Sequence, residues 1–476
     1  MLSYKNIFEK INLVKENKLS LPDNVQSFLD SIEQKKNLNA FNFIFSDDAL
    51  NDSIRIEKKI KSGKYGRLAG LVVSVKDVLA VKDKPLTCSS KILKNFISLY
   101  NAAAVQKLID DDAIIIGKTN CDEFAMGSSN ENSAFGPVLN PFNSKHVPGG
   151  SSGGSAVSVA AGLSDASIGT DTGGSIRQPA AFCGIYGFKP SYGMVSRYGL
   201  TAFASSFDTI GPLSNNLIDA ARIYEVISGY DEKDSTSVNS DAQKFNENIT
   251  EDKNKIRIGI PDEYFGEGLS PEINNAIQTV IEKLKKEEFE IIKINLPYTE
   301  YTISTYYIIA NAEASSNLAR YDGARYGYRS AEGSNISGMY KYTRSKGFGP
   351  EVKRRIMLGT YVLSAGYYEA YYKKAQSVRR LINDDFDKAF GKVDLILTPT
   401  TPTTAFRIGE KHQSPMQMYL NDIYTTSANL AGIPAVSIPI ANDSSGLPIG
   451  MQLIANKFKD MYLLTAANYI MQKIVK

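Results

Sequence analysis

At 476 residues, with 43% hydrophobic and 22% charged content, the chain can bury a large core and is neither disordered nor fibrous in composition. A formal net charge of +3 without a long basic tract argues against this chain by itself presenting the main nucleic-acid contact surface. Cys88, Cys121 and Cys183 are too few and too scattered for a disulfide framework or a zinc site, and no apolar run reaches 18 residues, so a soluble, cytoplasmic protein without a membrane span is expected.

Residues 1 to about 60 predict helices, with Val25, Phe28, Leu29 and Ile32 at helical spacing after Pro22. From Gly66 the pattern changes to short apolar runs with glycine turns. Leu71 to Leu79, Ala113 to Gly117 and Ala166 to Gly169 read as buried strands alternating with helices. That pattern implies an α/β fold, a central mixed sheet covered by helices on both faces. Thr119 to Ser129 follows one strand as a polar loop of the kind that binds ligands, or as a helix cap at Thr119 or Asn120. Asp231 to Lys255 reads as a surface connection, and 255–296 as a βαβ-like element with a helix started at Ser270-Pro271. Residues 302–390 are rich in tyrosine and helix formers. Strand and turn patterns return from Leu395 and end in a last helix. Because strand character both precedes and follows the tyrosine-rich region, one large domain over 1–476 is expected, its helical segment 1–60 packed on a catalytic core of about 66–215.

That core carries two Gly-Ser clusters between Pro148 and Pro179: Gly149-Gly150-Ser151-Ser152-Gly153-Gly154-Ser155 and Thr172-Gly173-Gly174-Ser175. The first leads into a small-residue helix, Ala156 to Leu163. The second follows a strand and places Ser175 at a helix N-terminus, where backbone N–H groups converge and can receive a developing oxyanion. A phosphate loop requires G-x-x-x-x-G-K-[ST], which is absent. Upstream, Lys76 interrupts the apolar run Leu71 to Leu79; such a lysine is either costly and tasked, or marks with Asp77 the point where the strand surfaces. Histidine is the usual base for a serine nucleophile. The chain has only His146 and His412, neither in a catalytic-looking context.

Lys76, Gly149 to Ser155 and Asp171 to Arg177, separated by the right intervals, together resemble the amidase signature family of serine amidohydrolases. The resemblance implies Ser175 as nucleophile, Ser151 as a bridging serine preceded by a cis peptide bond, and Lys76 as general base. The base must be neutral, and burial favours that form. The N–H groups of Thr172, Gly173, Gly174 and Ser175 are then the expected oxyanion hole, with Asp171 and Arg177 holding the turn's shape.

Further segments, from Gly187, Tyr306, Arg354 and Gln417, resemble the A subunits of glutamyl-tRNA(Gln) amidotransferases over nearly the whole chain. That branch implies hydrolysis of glutamine to glutamate and ammonia. A zwitterionic substrate needs a cation and an anion, and by resemblance Arg355 and Asp422 supply them, with Tyr306 and Ser128 lining the pocket. The resemblance also implies a heterotrimer with B and C subunits, Glu-tRNA(Gln) met mainly through the partner, ATP and magnesium in that partner, and no cofactor or metal in this chain. The alternatives are a stand-alone amidase acting on simple amides, and a non-catalytic subunit that keeps the fold.

Overall fold

A computed structural model describes residues 4–239, 256–410 and 415–474. Eleven strands form one sheet: β1 (Phe41–Ile44), β2 (Val72–Lys76), β3 (Ile114–Thr119), β4 (Ala166–Asp171), β5 (Tyr186–Lys189), β6 (Thr209–Ser214), β7 (Arg257–Pro261), β8 (Glu290–Ile294), β9 (Leu395–Pro399), β10 (Ala435–Asn442) and β11 (Pro448–Ala455). Their spatial order is β1-β3-β2-β4-β6-β5-β10-β11-β9-β7-β8. Pairing is parallel across β3-β2-β4 and across β9-β7-β8, and antiparallel elsewhere. The expected mixed α/β sheet is present. Every residue of β2, β3, β4, β6, β9 and β11 is buried. Successive side chains of a strand point to opposite faces, so the centre of the sheet is covered on both.

One core cluster runs from Ile7 to Ile474. The segment before β2 is tied to it through Lys10, whose buried Nζ meets Asp165 Oδ2 at 2.6 Å, and through the Ile7 N–H, which donates to Asp219 Oδ1 at 2.8 Å.

The reading of 1–60 as wholly helical needs one correction. Helices Ile7–Lys15, Leu21–Gln34 and Ser46–Lys61 flank β1, which pairs antiparallel with β3. A four-residue edge strand is too short to announce itself by alternation, and only the waiting edge of β3 makes Phe41-Asn42-Phe43-Ile44 extended. The βαβ expectation is met by parallel β7 and β8 around helix Pro271–Lys286, and both strands join the common sheet. Residues 240–255 of the expected surface connection lie outside the described residues. The tyrosine-rich region forms helices Thr302–Asn317, Ile336–Gly347, Pro350–Val362 and Lys374–Phe390. Thr119–Ser129 is not a helix start: a short 3₁₀ turn at Glu123–Ala125 contains Phe124 at φ 52°. Among the described residues no helix is long and apolar enough to cross a membrane.

Candidate active site

Adjacent parallel strands bring the two Gly-Ser clusters and Lys76 together. β2 delivers Lys76 at its C-terminal end, and its neighbour β4 ends at Asp171, where the second cluster begins. The first cluster starts helix Gly153–Ala160 three residues earlier than the apolar run suggested. Glycine is required there: a Cβ on Gly154 would lie 2.4 Å from the Asn120 carbonyl oxygen, and one on Gly153 2.5 Å from Asn130 Oδ1. The Gly150–Ser151 peptide is cis. The next short helix is Arg177–Phe182, so Ser175 lies just outside its N-terminus, one residue before the cap.

Lys76 and Asp77 do not mark a surfacing strand end; both are fully buried. Lys76 Nζ donates to Ser151 Oγ at 2.7 Å, Ser152 Oγ at 2.8 Å and Thr170 Oγ1 at 2.9 Å. Three hydroxyls satisfy an ammonium group, yet none carries charge. Burial therefore dominates and pushes Lys76 down to about 8, against the opposing pull of Cys121, Asp122, Asp171 and Asp208. Asp77 belongs to a different pair: it lies 3.0 Å from buried Lys118 Nζ and accepts from Asn42 Nδ2 at 2.9 Å.

The Thr172–Ser175 turn is held from below. Arg177 Nε and Nη2 donate to the two Asp171 carboxylate oxygens at 3.0 and 3.1 Å, and both residues are fully buried. Burial pushes the Asp171 carboxyl up, but the charge and hydrogen bonds of Arg177, with Lys189 and Asn429, together overcome it and hold the group down at about 2. Asn429 Nδ2 and Gln452 Oε1 complete the pair at 2.8 and 3.1 Å. Asp171 Oδ1 also accepts the Gly174 N–H at 2.8 Å. This corrects one expectation: the Gly174 amide is engaged and is not offered as an oxyanion donor. The N–H groups of Gly173 and Ser175 carry no hydrogen bond among the described residues. Thr172 is fixed through its hydroxyl, which donates to Asp208 Oδ1 at 2.7 Å. The Ser152 N–H donates to the Ser175 carbonyl at 3.2 Å, joining the two clusters.

The four expected substrate residues are all buried. Tyr306 lies against Gly173, where a Cβ would come within 2.5 Å of the phenol ring. Ser128 Oγ donates to Asp422 Oδ2, and the Tyr307 hydroxyl reaches the same oxygen at 3.4 Å. Burial pushes Asp422 up to about 7. Gln178 bridges inward, accepting the Gly150 N–H at 2.8 Å and donating to the Ser128 carbonyl at 2.7 Å. Arg355 does not pair with Asp422. Its Nε donates to Glu351 Oε1 at 2.8 Å, and its guanidinium carbon lies 5.3–5.7 Å from the rings of Tyr307, Phe203 and Tyr419. Arg355 lines a cavity of about 590 Å³ that also reaches Gly127 and Ser129, on either side of Ser128.

The amidase family model matches residues 23–464. The chain belongs to the amidase family. Among its relatives, the glutamyl-tRNA(Gln) amidotransferase A subunit of Koribacter versatilis is 53% identical over 447 residues, covering 94% of this chain and 93% of its own. The corresponding A subunit of Chlorobium phaeobacteroides (strain BS1) is 50% identical over 470 residues, covering 98% of both. In structure, the chain is similar to the glutamyl-tRNA(Gln) amidotransferase A subunit of Thermotoga maritima, with a TM-score of 0.78 and 39% identity, covering 97% of this chain and 93% of that one.

Within this amidase, sequence patterns singled out Lys76, Ser151 and Ser175 but not the residues packed around them. Ser152 stands beside Ser151 in the motif and shares the lysine. Thr170, Asp208 and Asn429 carry no motif signal of their own. Beside Arg355 the signal was plainer, since Glu351 stands one helical turn before it. His146 pairs its backbone with Arg407, while His412 lies outside the described residues.

Proposed function

We propose that this chain is the glutamine-hydrolysing subunit of a glutamyl-tRNA(Gln) amidotransferase, working through Lys76, Ser151 and Ser175. The observation that carries the chemistry is Lys76: a fully buried amine, pushed down to about 8, within 2.9 Å of three hydroxyls. A buried lysine without a carboxylate partner is suited to accept a proton rather than to hold a charge.

In the acylation step neutral Lys76 takes the Ser151 hydroxyl proton as Ser151 takes that of Ser175. Ser175 Oγ then attacks the side-chain amide carbon of glutamine. The Gly173 and Ser175 N–H groups, left free by the Asp171 clamp, receive the oxyanion in this reading. As the tetrahedral intermediate collapses the C–N bond breaks, the proton returns through Ser151 to the leaving nitrogen, and ammonia departs. Water repeats the sequence on the resulting Ser175 ester and releases glutamate, restoring the serine. Arg355 receives the substrate α-carboxylate and Asp422 the α-ammonium, which replaces Ser128 as donor. Tyr306 and Ser128 form the walls.

The near full-length identity to A subunits supports a division of labour with B and C subunits. In this reading ATP and magnesium act in the partner, which also makes the main contact with Glu-tRNA(Gln) and consumes the ammonia. A cytoplasmic location follows from that role. The test is ammonia release from glutamine and from butyramide, by wild type and Ser175→Ala, alone and with partner subunits. Selection of glutamine with loss of activity in Ser175→Ala is expected. Preference for butyramide with no response to partners would make the chain a general amidase.

A further inference from the structure

The buried guanidinium of Arg355 has spent one of its five N–H donors. Only Nε is bonded, to Glu351 Oε1, and the two terminal NH₂ groups make no hydrogen bond among the described residues, although the side chain is only 3% exposed. Arg355 belongs to the wall of the 590 Å³ cavity, so the unspent fork has room for an anion. A fork binds a carboxylate by two parallel hydrogen bonds only if its plane is fixed. Two features fix it here. Tyr307 and Tyr419 stack on each other at 3.8 Å, and with Phe203 they surround the guanidinium. Glu351 holds Nε, and its Oε1 also accepts from the Tyr419 hydroxyl at 3.4 Å. The other carboxylate oxygen, Oε2, is occupied by Arg354 at the half-exposed rim.

From this geometry we infer that Glu351 is a positioning residue for glutamine selection: it holds Arg355 at Nε so that both terminal NH₂ groups face the substrate carboxylate. The inference rests on the proposed role of Arg355. It assigns Glu351 orientation rather than attraction, because a carboxylate beside the guanidinium opposes the arrival of a second one. Removing the charge while keeping the acceptor therefore preserves binding. Removing the acceptor lets the guanidinium turn about its Cδ–Nε bond and weakens binding.

The experiment compares Glu351→Gln, which keeps an oxygen for Nε, with Glu351→Met, which keeps the volume without it, in the chain assembled with its partner subunits. KM and kcat are measured for glutamine, and kcat/KM for butyramide, which has no α-carboxylate. Expected for Glu351→Met is a KM for glutamine raised about tenfold, kcat within about threefold, and a glutamine-over-butyramide preference lowered by about the same factor as the KM effect. Expected for Glu351→Gln is a KM within about threefold of wild type, rescue by the conservative variant. An unchanged KM in Glu351→Met overturns the inference. So does equal damage to both substrates, which marks a folding role at the start of helix Pro350–Val362, or equal damage by Gln and Met, which marks a role of charge. Glu351→Ala replaces the methionine variant if that does not fold. Arg355→Gln separates the two layers: if it leaves the KM for glutamine unchanged, the carboxylate reading of Arg355 fails; if it raises the KM while Glu351→Met does not, only the role of Glu351 falls.

Discussion

Lys76→Met tests the base without disturbing its surroundings, because methionine fills the same space and cannot accept the Ser151 proton. The pH dependence of the wild type sets the scale. Lys76 titrates at about 8, so about one molecule in ten carries the neutral amine at pH 7. Glutaminase kcat/KM is therefore expected to rise about tenfold per pH unit below 8 and to level off above about pH 9. The stability effect has the opposite sense. An unfolded lysine titrates near 10.5 and the folded one at about 8, so between these values the unfolded chain binds more protons. Stability then rises with pH through that window, and below pH 8 the buried ammonium costs on the order of 3 kcal/mol. Against this, the methionine variant strips Ser151, Ser152 and Thr170 of a donor, at about 1 kcal/mol each. The two nearly cancel, so Lys76→Met should unfold in urea within about 1–2 kcal/mol of wild type at pH 7. Its ammonia release should fall by about a thousandfold or more. A flat pH profile between 6 and 9, or a folded methionine variant with more than about a tenth of wild-type activity, would refute neutral Lys76 as the base.

Two further outcomes follow from the Thr172–Ser175 turn. Asp171→Asn leaves the buried Arg177 charge without its partner and should cost about 3–5 kcal/mol in urea unfolding. In the wild type Asp171 is held at about 2, below its ordinary 3.8. Its stabilisation is thus complete above about pH 4 and is lost as pH falls through about 2, an acid limb of roughly 2 kcal/mol that the asparagine variant should lack. Gly173→Ala would drive a methyl to within 2.5 Å of Tyr306. It should lower kcat by at least about tenfold while circular dichroism stays native, because the turn and not the sheet must shift; native kcat would mean that Tyr306 moves freely and does not define the pocket wall.

The sequence by itself determined the chemistry-bearing residue types and their local setting. Glycines that allow close backbone approach, a lysine interrupting an apolar strand and serines at fixed intervals are local facts, and Lys76, Ser151 and Ser175 were legible for that reason. The βαβ element was legible too, since its pattern repeats over enough residues to be read. Tertiary structure decided what local patterns cannot encode. β1 is a strand only because β3 has an edge to fill. Gly174 loses its place as an oxyanion donor because Asp171, clamped by Arg177 and Asn429, takes its N–H. Arg355 and Asp422, expected as the cation and anion of one substrate site, turn to different partners: Glu351 one helical turn away, and Ser128 at a separation of 294 residues. The physical reason is the same in each case. A buried charge or polar group must be satisfied wherever the fold brings a partner, and separation along the chain does not say which partner that will be.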